Sequence, residues 1–126
     1  MKIQTIKAWM LGFWILMLVS KLSQGVADER GIASWYSRNE PGVGRRTASG
    51  EFFNDALATC ASWRFPLGTY IKITNPKNGK SVVCRVNDRG PRLNLNRRVD
   101  LTKSSFKKIA DPDLGLVQVV IHPLGR

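Results

Sequence analysis

Two short stretches of strict alternation limit the architecture of this chain more than any other feature. In residues 69–74, Ile71 and Ile73 share one face and Tyr70, Lys72 and Thr74 the other. In residues 81–87, Val82, Cys84 and Val86 share a face, leaving Arg85 and Asn87 on the opposite side. Between them Asn75-Pro-Lys-Asn-Gly79 supplies turn residues, with an Asn-Gly pair that tolerates positive φ. The sequence therefore predicts a β-hairpin with one face in a core. Residues 31–37 read as an earlier strand, followed by a loop rich in Gly, Pro and Arg through Arg46. Residues 117–122 alternate again and close the chain. The only helical signal is short: Phe106 and Ile109 stand three apart behind a Thr102 cap, and Asp111-Pro112 stops the run. Strands dominate, so the expected class is all-β, a small barrel.

The start of the chain follows different rules. Lys2 and Lys7 precede an apolar run from Ala8 to Val19, and the small residues Gly25 and Ala27 close the segment. That order is the one a secretory signal needs, so residues 1–27 are expected to be a signal peptide and residues 28–126 one domain. The run is short for a membrane span, and the mature domain is expected to have no stable membrane anchor. No cysteine lies in this region to carry a lipid, and with Arg126 as the last residue a separate second domain is not expected.

Compartment and charge narrow the partners. The chain carries +11; without Lys2, Lys7 and Lys21, 17 basic residues face 9 acidic ones, or +8. For an exported protein the natural acidic partners are wall polymers and anionic head groups. No basic helix with interleaved aromatics argues for nucleic acid. Cys60 and Cys84 are the only cysteines, and an even count in an oxidising compartment favours pairing them. Two cysteines fall short of a structural zinc site, and no metal is expected.

Two segments look overbuilt for turns. Arg46-Thr-Ala-Ser-Gly-Glu51 places a carboxylate after a glycine, and Asn87-Asp-Arg-Gly-Pro91 sets Asn87 and Asp88 at a strand end. An acid at a barrel mouth protonates a glycosidic oxygen when burial or a like charge raises its pKa. The alternative for Asp88 is an ordinary salt bridge or turn bond with Arg85 or Arg89.

At these residues the chain resembles a known family. Gly31-Ile-Ala-Ser-Trp-Tyr36, Arg46-Thr-Ala-Ser-Gly-Glu51, Phe65-Pro-Leu-Gly68, Val82-Val-Cys-Arg-Val-Asn-Asp-Arg-Gly-Pro91 and Val99-Asp-Leu101 closely resemble the rare lipoprotein A family, from about residue 31 to residue 121. The resemblance implies a six-stranded double-psi β-barrel, related to expansin-like barrels that are commonly disulfide-stapled. It also implies a periplasmic or secreted location. The implied activity is that of an endolytic lytic transglycosylase, cutting peptidoglycan glycan strands between N-acetylmuramic acid and N-acetylglucosamine to leave 1,6-anhydro ends, with no cofactor.

Carried over by position, the family's catalytic glutamate falls on Glu51 and its aspartate on Asp88. Arg85, Asn87, Arg89, Trp35 and Tyr36 are expected to line the substrate groove. The family histidine falls on Ser62, and serine does not replace imidazole near neutral pH. The single histidine, His122, lies on the closing strand and is expected to be structural or solvent-facing. Two other readings stand beside the enzyme. One is a non-catalytic glycan-binding module of expansin type, in which Trp35, Tyr36 and Trp63 stack on sugars. The other is a secreted effector or inhibitor. The protein is expected to act as a monomer.

Overall fold

The computed structural model describes residues 28–37, 46–91 and 96–126. The proposed signal peptide and most of the Gly/Pro/Arg loop before Arg46 lie outside the described residues. Six strands close into a barrel: β1 (Glu29–Tyr36), β2 (Thr59–Ala61), β3 (Tyr70–Thr74), β4 (Ser81–Asp88), β5 (Arg97–Thr102) and β6 (Leu116–Gly125). Around the barrel the order is β1-β5-β2-β4-β3-β6. The pairs β1/β5 and β2/β4 run parallel and the other four antiparallel. This is the six-stranded barrel that the resemblance implied.

The predicted hairpin is β3 and β4, in register from Tyr70↔Arg85 to Thr74↔Ser81. Its turn is closed by Asn75 N–H donating to the Lys80 carbonyl (2.8 Å) and Gly79 N–H donating to the Asn75 carbonyl (2.8 Å). The turn also reaches the residues just past the helix: the side-chain amides of Asn75 and Asn78 each donate to the Ile109 carbonyl at 2.9 Å. That helix, α1 (Lys103–Lys107), starts where the sequence places it, with the Ser105 N–H donating to the Thr102 hydroxyl. Phe106 and Ile109, both fully buried, join the barrel core.

Alternation sorts the rest. Ala33, Cys60, Ile71, Ile73, Cys84, Val86, Val99, Leu101, Val119 and Ile121 fill the interior. Two strands escape the alternation reading. β2 has only three residues and β5 begins on the charged pair Arg97-Arg98, so neither shows a period long enough to recognise.

The two cysteines meet inside. Cys60 on β2 and Cys84 on β4 form a disulfide across a parallel pair, with their Cα atoms 5.9 Å apart. Parallel neighbours have no tight hairpin to hold them, so this covalent bond fixes a contact between residues 24 positions apart. Closing a loop of that size restricts the unfolded chain by about 3 kcal/mol. The double substitution Cys60→Ser/Cys84→Ser is expected to lower the urea unfolding free energy by about 2–4 kcal/mol. A loss below about 1 kcal/mol would show that the barrel does not depend on the bond.

Candidate active site

The site begins with an irregularity in the pairing of β2 with β4. Cys60 pairs with Val86, yet the next residue of β2, Ala61, pairs with Asp88, so Asn87 has no opposite number. A bulge of this kind turns the following side chain to the other face of the sheet. Strict alternation would send Asp88 inward after Val86; the bulge sets it outward, beside Ala61. Ala61 is also paired with Asp100 on β5, and Asp100 with Ser34 on β1. Residues directly opposite one another share a face. Ser34, Asp100, Ala61 and Asp88 thus form one row across four strands, with the two aspartates about 10 Å apart in backbone, two strand spacings. Between them stands only a methyl group.

Each member of the row is held by neighbours. Asp88 Oδ1 accepts from the backbone N–H groups of Ala48 (3.0 Å) and Arg89 (2.8 Å). Oδ2 receives no donor among the described residues. Asp100 accepts a short bond from the Ser34 hydroxyl, which itself accepts from Arg97 Nη2 at 2.8 Å. Arg97 Nη2 also lies 3.7 Å from Asp100 Oδ1. Burial raises the Asp100 pKa above the ordinary aspartate value, and the charge of Asp88 adds to the rise, against the lowering pull of Ser34 and Arg97. Tyr36 lies on the same side of β1 as Ser34. Its ring packs on Phe53 with centroids 5.0 Å apart, and its buried hydroxyl has no hydrogen-bond partner among the described residues. Burial, followed by the carboxylates of Asp88, Asp100 and Asp55, pushes its pKa up, so it remains a donor at any working pH.

The motif at residues 46–51 forms a turn over this row. Arg46 bridges to Phe52, and the turn closes with Thr47 N–H donating to the Glu51 carbonyl (2.8 Å) and Gly50 N–H donating to the Thr47 carbonyl (2.9 Å). Gly50 has φ of 91°, a conformation that side chains disfavour. Through this turn Ala48 N–H reaches Asp88, and Ser49 N–H reaches the Asn87 carbonyl at 3.0 Å.

The other candidate residues are distributed as follows. Glu51 is not free: both its oxygens take the Arg85 guanidinium, at 2.5 and 2.7 Å. This pairing, with a bond from Ser49, holds the Glu51 carboxyl down to about 2. A group held that low supplies negative charge and anchorage, not a proton. Arg85 is likewise occupied by Glu51. Arg89 turns away from a groove and donates to the carbonyls of Ser62 (2.7 Å) and Phe65 (2.6 Å). Asn87 is 2% exposed, covered by the Ser49 turn rather than open to a ligand. Trp35 and Tyr36, expected together, lie on opposite faces. Trp35 packs against the core and donates from Nε1 to the Pro112 carbonyl at 2.8 Å, leaving Tyr36 alone with the acids.

Ser62 is fully buried; its hydroxyl donates to the Arg98 carbonyl (3.3 Å) and accepts from Arg64 N–H (3.1 Å). It is a buried turn residue, with its hydroxyl held by two backbone groups. His122 faces outward and contacts Asp28 through Nδ1 at 2.5 Å. It stands six positions along β6 from Leu116, the partner of Ser34, or roughly 20 Å from the row.

The comparisons with known proteins agree with this architecture. A family model described as lytic transglycolase matches residues 28–121. The chain belongs to that family. Among its relatives, the probable endolytic peptidoglycan transglycosylase RlpA of Nostoc sp. is 39% identical over 113 residues, covering 86% of this chain and 30% of the relative. The endolytic peptidoglycan transglycosylase RlpA of Rickettsia felis is 40% identical over 97 residues, covering 76% and 42%. The chain thus spans less than half the length of these relatives. Two solved structures share the barrel: Streptomyces papain inhibitor (TM-score 0.62, 19% identity, 77% of this chain and 94% of that one) and the expansin of Clavibacter michiganensis (TM-score 0.61, 20%, 78% and 50%). At that identity the likeness is one of fold.

Asp100 escaped the residue-by-residue reading although its motif, Val99-Asp-Leu101, was in view. The signal was an acid between two core residues, which must face outward on a strand. The Glu51–Arg85 pair supplies a test of the turn. Because Glu51 is lowered from 4.5 to about 2, its stabilisation is complete above about pH 5 and fades as pH falls toward 2. For a partly exposed pair the expected size is about 0.5–1 kcal/mol. Urea unfolding of Glu51→Gln is expected to show that deficit at pH 7 and a clearly smaller one at pH 2, where the carboxyl is about half protonated. An equal deficit at both values would mean that the ion pair is not its source.

Proposed function

We propose that this domain is a lytic transglycosylase acting on peptidoglycan glycan strands, with Asp100 and Asp88 as its acid and base. The observation that carries the reading is the row itself: two carboxyl groups facing the same side across Ala61, one of them raised by burial and by the other's charge. The names of the relatives support the same polymer.

In this mechanism Asp100 donates its proton to the glycosidic oxygen as the bond from C1 of N-acetylmuramic acid to that oxygen breaks. The C6 hydroxyl of the same sugar attacks C1, and its proton passes to the open Oδ2 of Asp88. The new C1–O6 bond closes the 1,6-anhydro ring, and N-acetylglucosamine leaves with a free 4-hydroxyl. No water is consumed. The two aspartates finish with the proton exchanged and are reset through solvent. Tyr36, buried against Phe53, keeps a permanent donor beside the two acids. Ser62 takes no part, so the acid and base roles need no histidine. Glu51 and Arg85 act one step back, by setting the turn that delivers Ala48 N–H to Asp88.

The same reading makes residues 1–27 a secretory leader and residues 28–126 a monomeric extracytoplasmic domain. Among the described residues no helix is long and apolar enough to cross a membrane.

Residues 28–126 incubated with peptide-free glycan strands are expected to yield 1,6-anhydro ends by mass spectrometry. Asp88→Asn and Asp100→Asn should each lower the rate by about 100-fold or more. In the wild type, activity is expected to fall as rising pH deprotonates Asp100. Strands that are bound but left intact would oppose the enzyme and favour the expansin-type binder.

A further inference from the structure

Beside the row, on the β5 side, lies a cleft of about 260 Å³ lined by Trp63, Arg64, Asn96, Arg97 and Arg98. Apart from Arg97, the partner of Ser34 and Asp100, the proposed mechanism uses none of it. Trp63 offers an open ring, 54% exposed, two residues beyond Ala61. The three arginines differ in what they have left to give. Arg64 is neutralised by Glu29, which takes its Nε at 2.7 Å and Nη2 at 2.8 Å. Arg97 is tied to Ser34 and Asp100 through Nη2, while its Nε is buried without a hydrogen-bond partner. Arg98 has no carboxylate partner among the described residues; its Nε donates to the Asn96 side chain at 3.1 Å. Its position is set by a missing side chain, because a Cβ on Gly31 would meet Arg98 Cγ at 2.1 Å. The Arg98 stem lies flat on β1 where only glycine leaves room.

An exposed indole next to a guanidinium with no carboxylate partner among the described residues suits one ligand chemistry: a pyranose whose apolar face stacks on the ring and whose substituent carries a carboxylate. We propose that this cleft is a subsite for a sugar-borne carboxylate, with the sugar on Trp63 and the carboxylate on Arg98. The inference rests on the functional reading above for the identity of the polymer. In peptidoglycan the matching group is the lactyl carboxylate of N-acetylmuramic acid, which is ionised when no peptide is attached and becomes an amide when one is. Because Arg97 joins the cleft to Asp100, binding there places an acidic sugar next to the acid of the row.

The test is calorimetric binding to an Asp88→Asn chain, in which the amide oxygen still accepts the Ala48 and Arg89 bonds. The probes are peptide-free strands, the same strands with every lactyl carboxyl converted to an amide, and peptide-bearing strands. Free-acid strands are expected to bind about tenfold tighter than amidated ones at low salt. Arg98→Gln and Gly31→Ala, which displaces the Arg98 stem, should each erase that preference. Trp63→Ala should weaken both kinds of strand alike. Equal binding of acid and amide by the parent chain, or a preference that survives Arg98→Gln, would overturn the proposal. Peptide-bearing strands bound as tightly as free-acid strands would also overturn it, by moving the carboxylate to the stem peptide. Cleavage by the wild-type domain is read separately. Acid-selective binding without cleavage would remove the enzymatic reading and leave the subsite, whereas cleavage with equal binding of acid and amide would do the reverse.

Discussion

The site depends on a single unpaired residue in the β2/β4 ladder. Before Asn87 the two strands send Cys60, Cys84 and Val86 into the core, where the disulfide locks them. After it, Asp88 stands outside the barrel beside Ala61. Without the extra residue the aspartate would point inward among apolar groups, a costly place for a charge. The bulge lets one strand supply core packing along most of its length and an outward acid at its end. The neighbour on the other side of β2 supplies the second acid, because β2 pairs in parallel with β4 and antiparallel with β5. Two acids distant in sequence are thereby carried to either side of one methyl group.

Around this row the polar network supports the acids more than it offers ligands for a substrate. Arg89 ties the strand end to the Ser62–Phe65 segment, and Arg85 ties it to the turn at residues 46–51. Ser62 completes that segment with two bonds of its own. The residues open toward a ligand are fewer: Asp88, Asp100 and the Trp63–Arg98 cleft. Several residues that the family motif groups together thus divide into those open to a ligand and those that hold the site together.

How much of this was legible in the sequence follows from the range of the interactions involved. The hairpin was, because period-two alternation and an Asn-Gly turn are local. So was the inward aspect of Cys84, which follows from Val82 and Val86. The bulge was not, since residues 81–87 alternate perfectly up to the position where pairing slips. Asp100 requires knowing that β5 lies next to β2, a fact of topology that residues 97–102 do not encode. Trp35 and Tyr36 could have been separated from sequence alone, as adjacent residues of a strand never share a face. The occupation of Glu51 by Arg85 joins positions 34 apart in the chain and becomes visible only when the turn is seen folded over β4.

The central claim is that burial, joined by the Asp88 charge across Ala61, raises Asp100. It is tested most directly by following the side-chain carboxyl carbon of Asp100 by NMR as pH is varied, in the wild-type domain and in Asp88→Asn. The account predicts that Asp100 titrates above the ordinary value of 3.8 in the wild type and moves down when the Asp88 charge is removed. An Asp100 that titrates at the ordinary value, or is unmoved by Asp88→Asn, would contradict it.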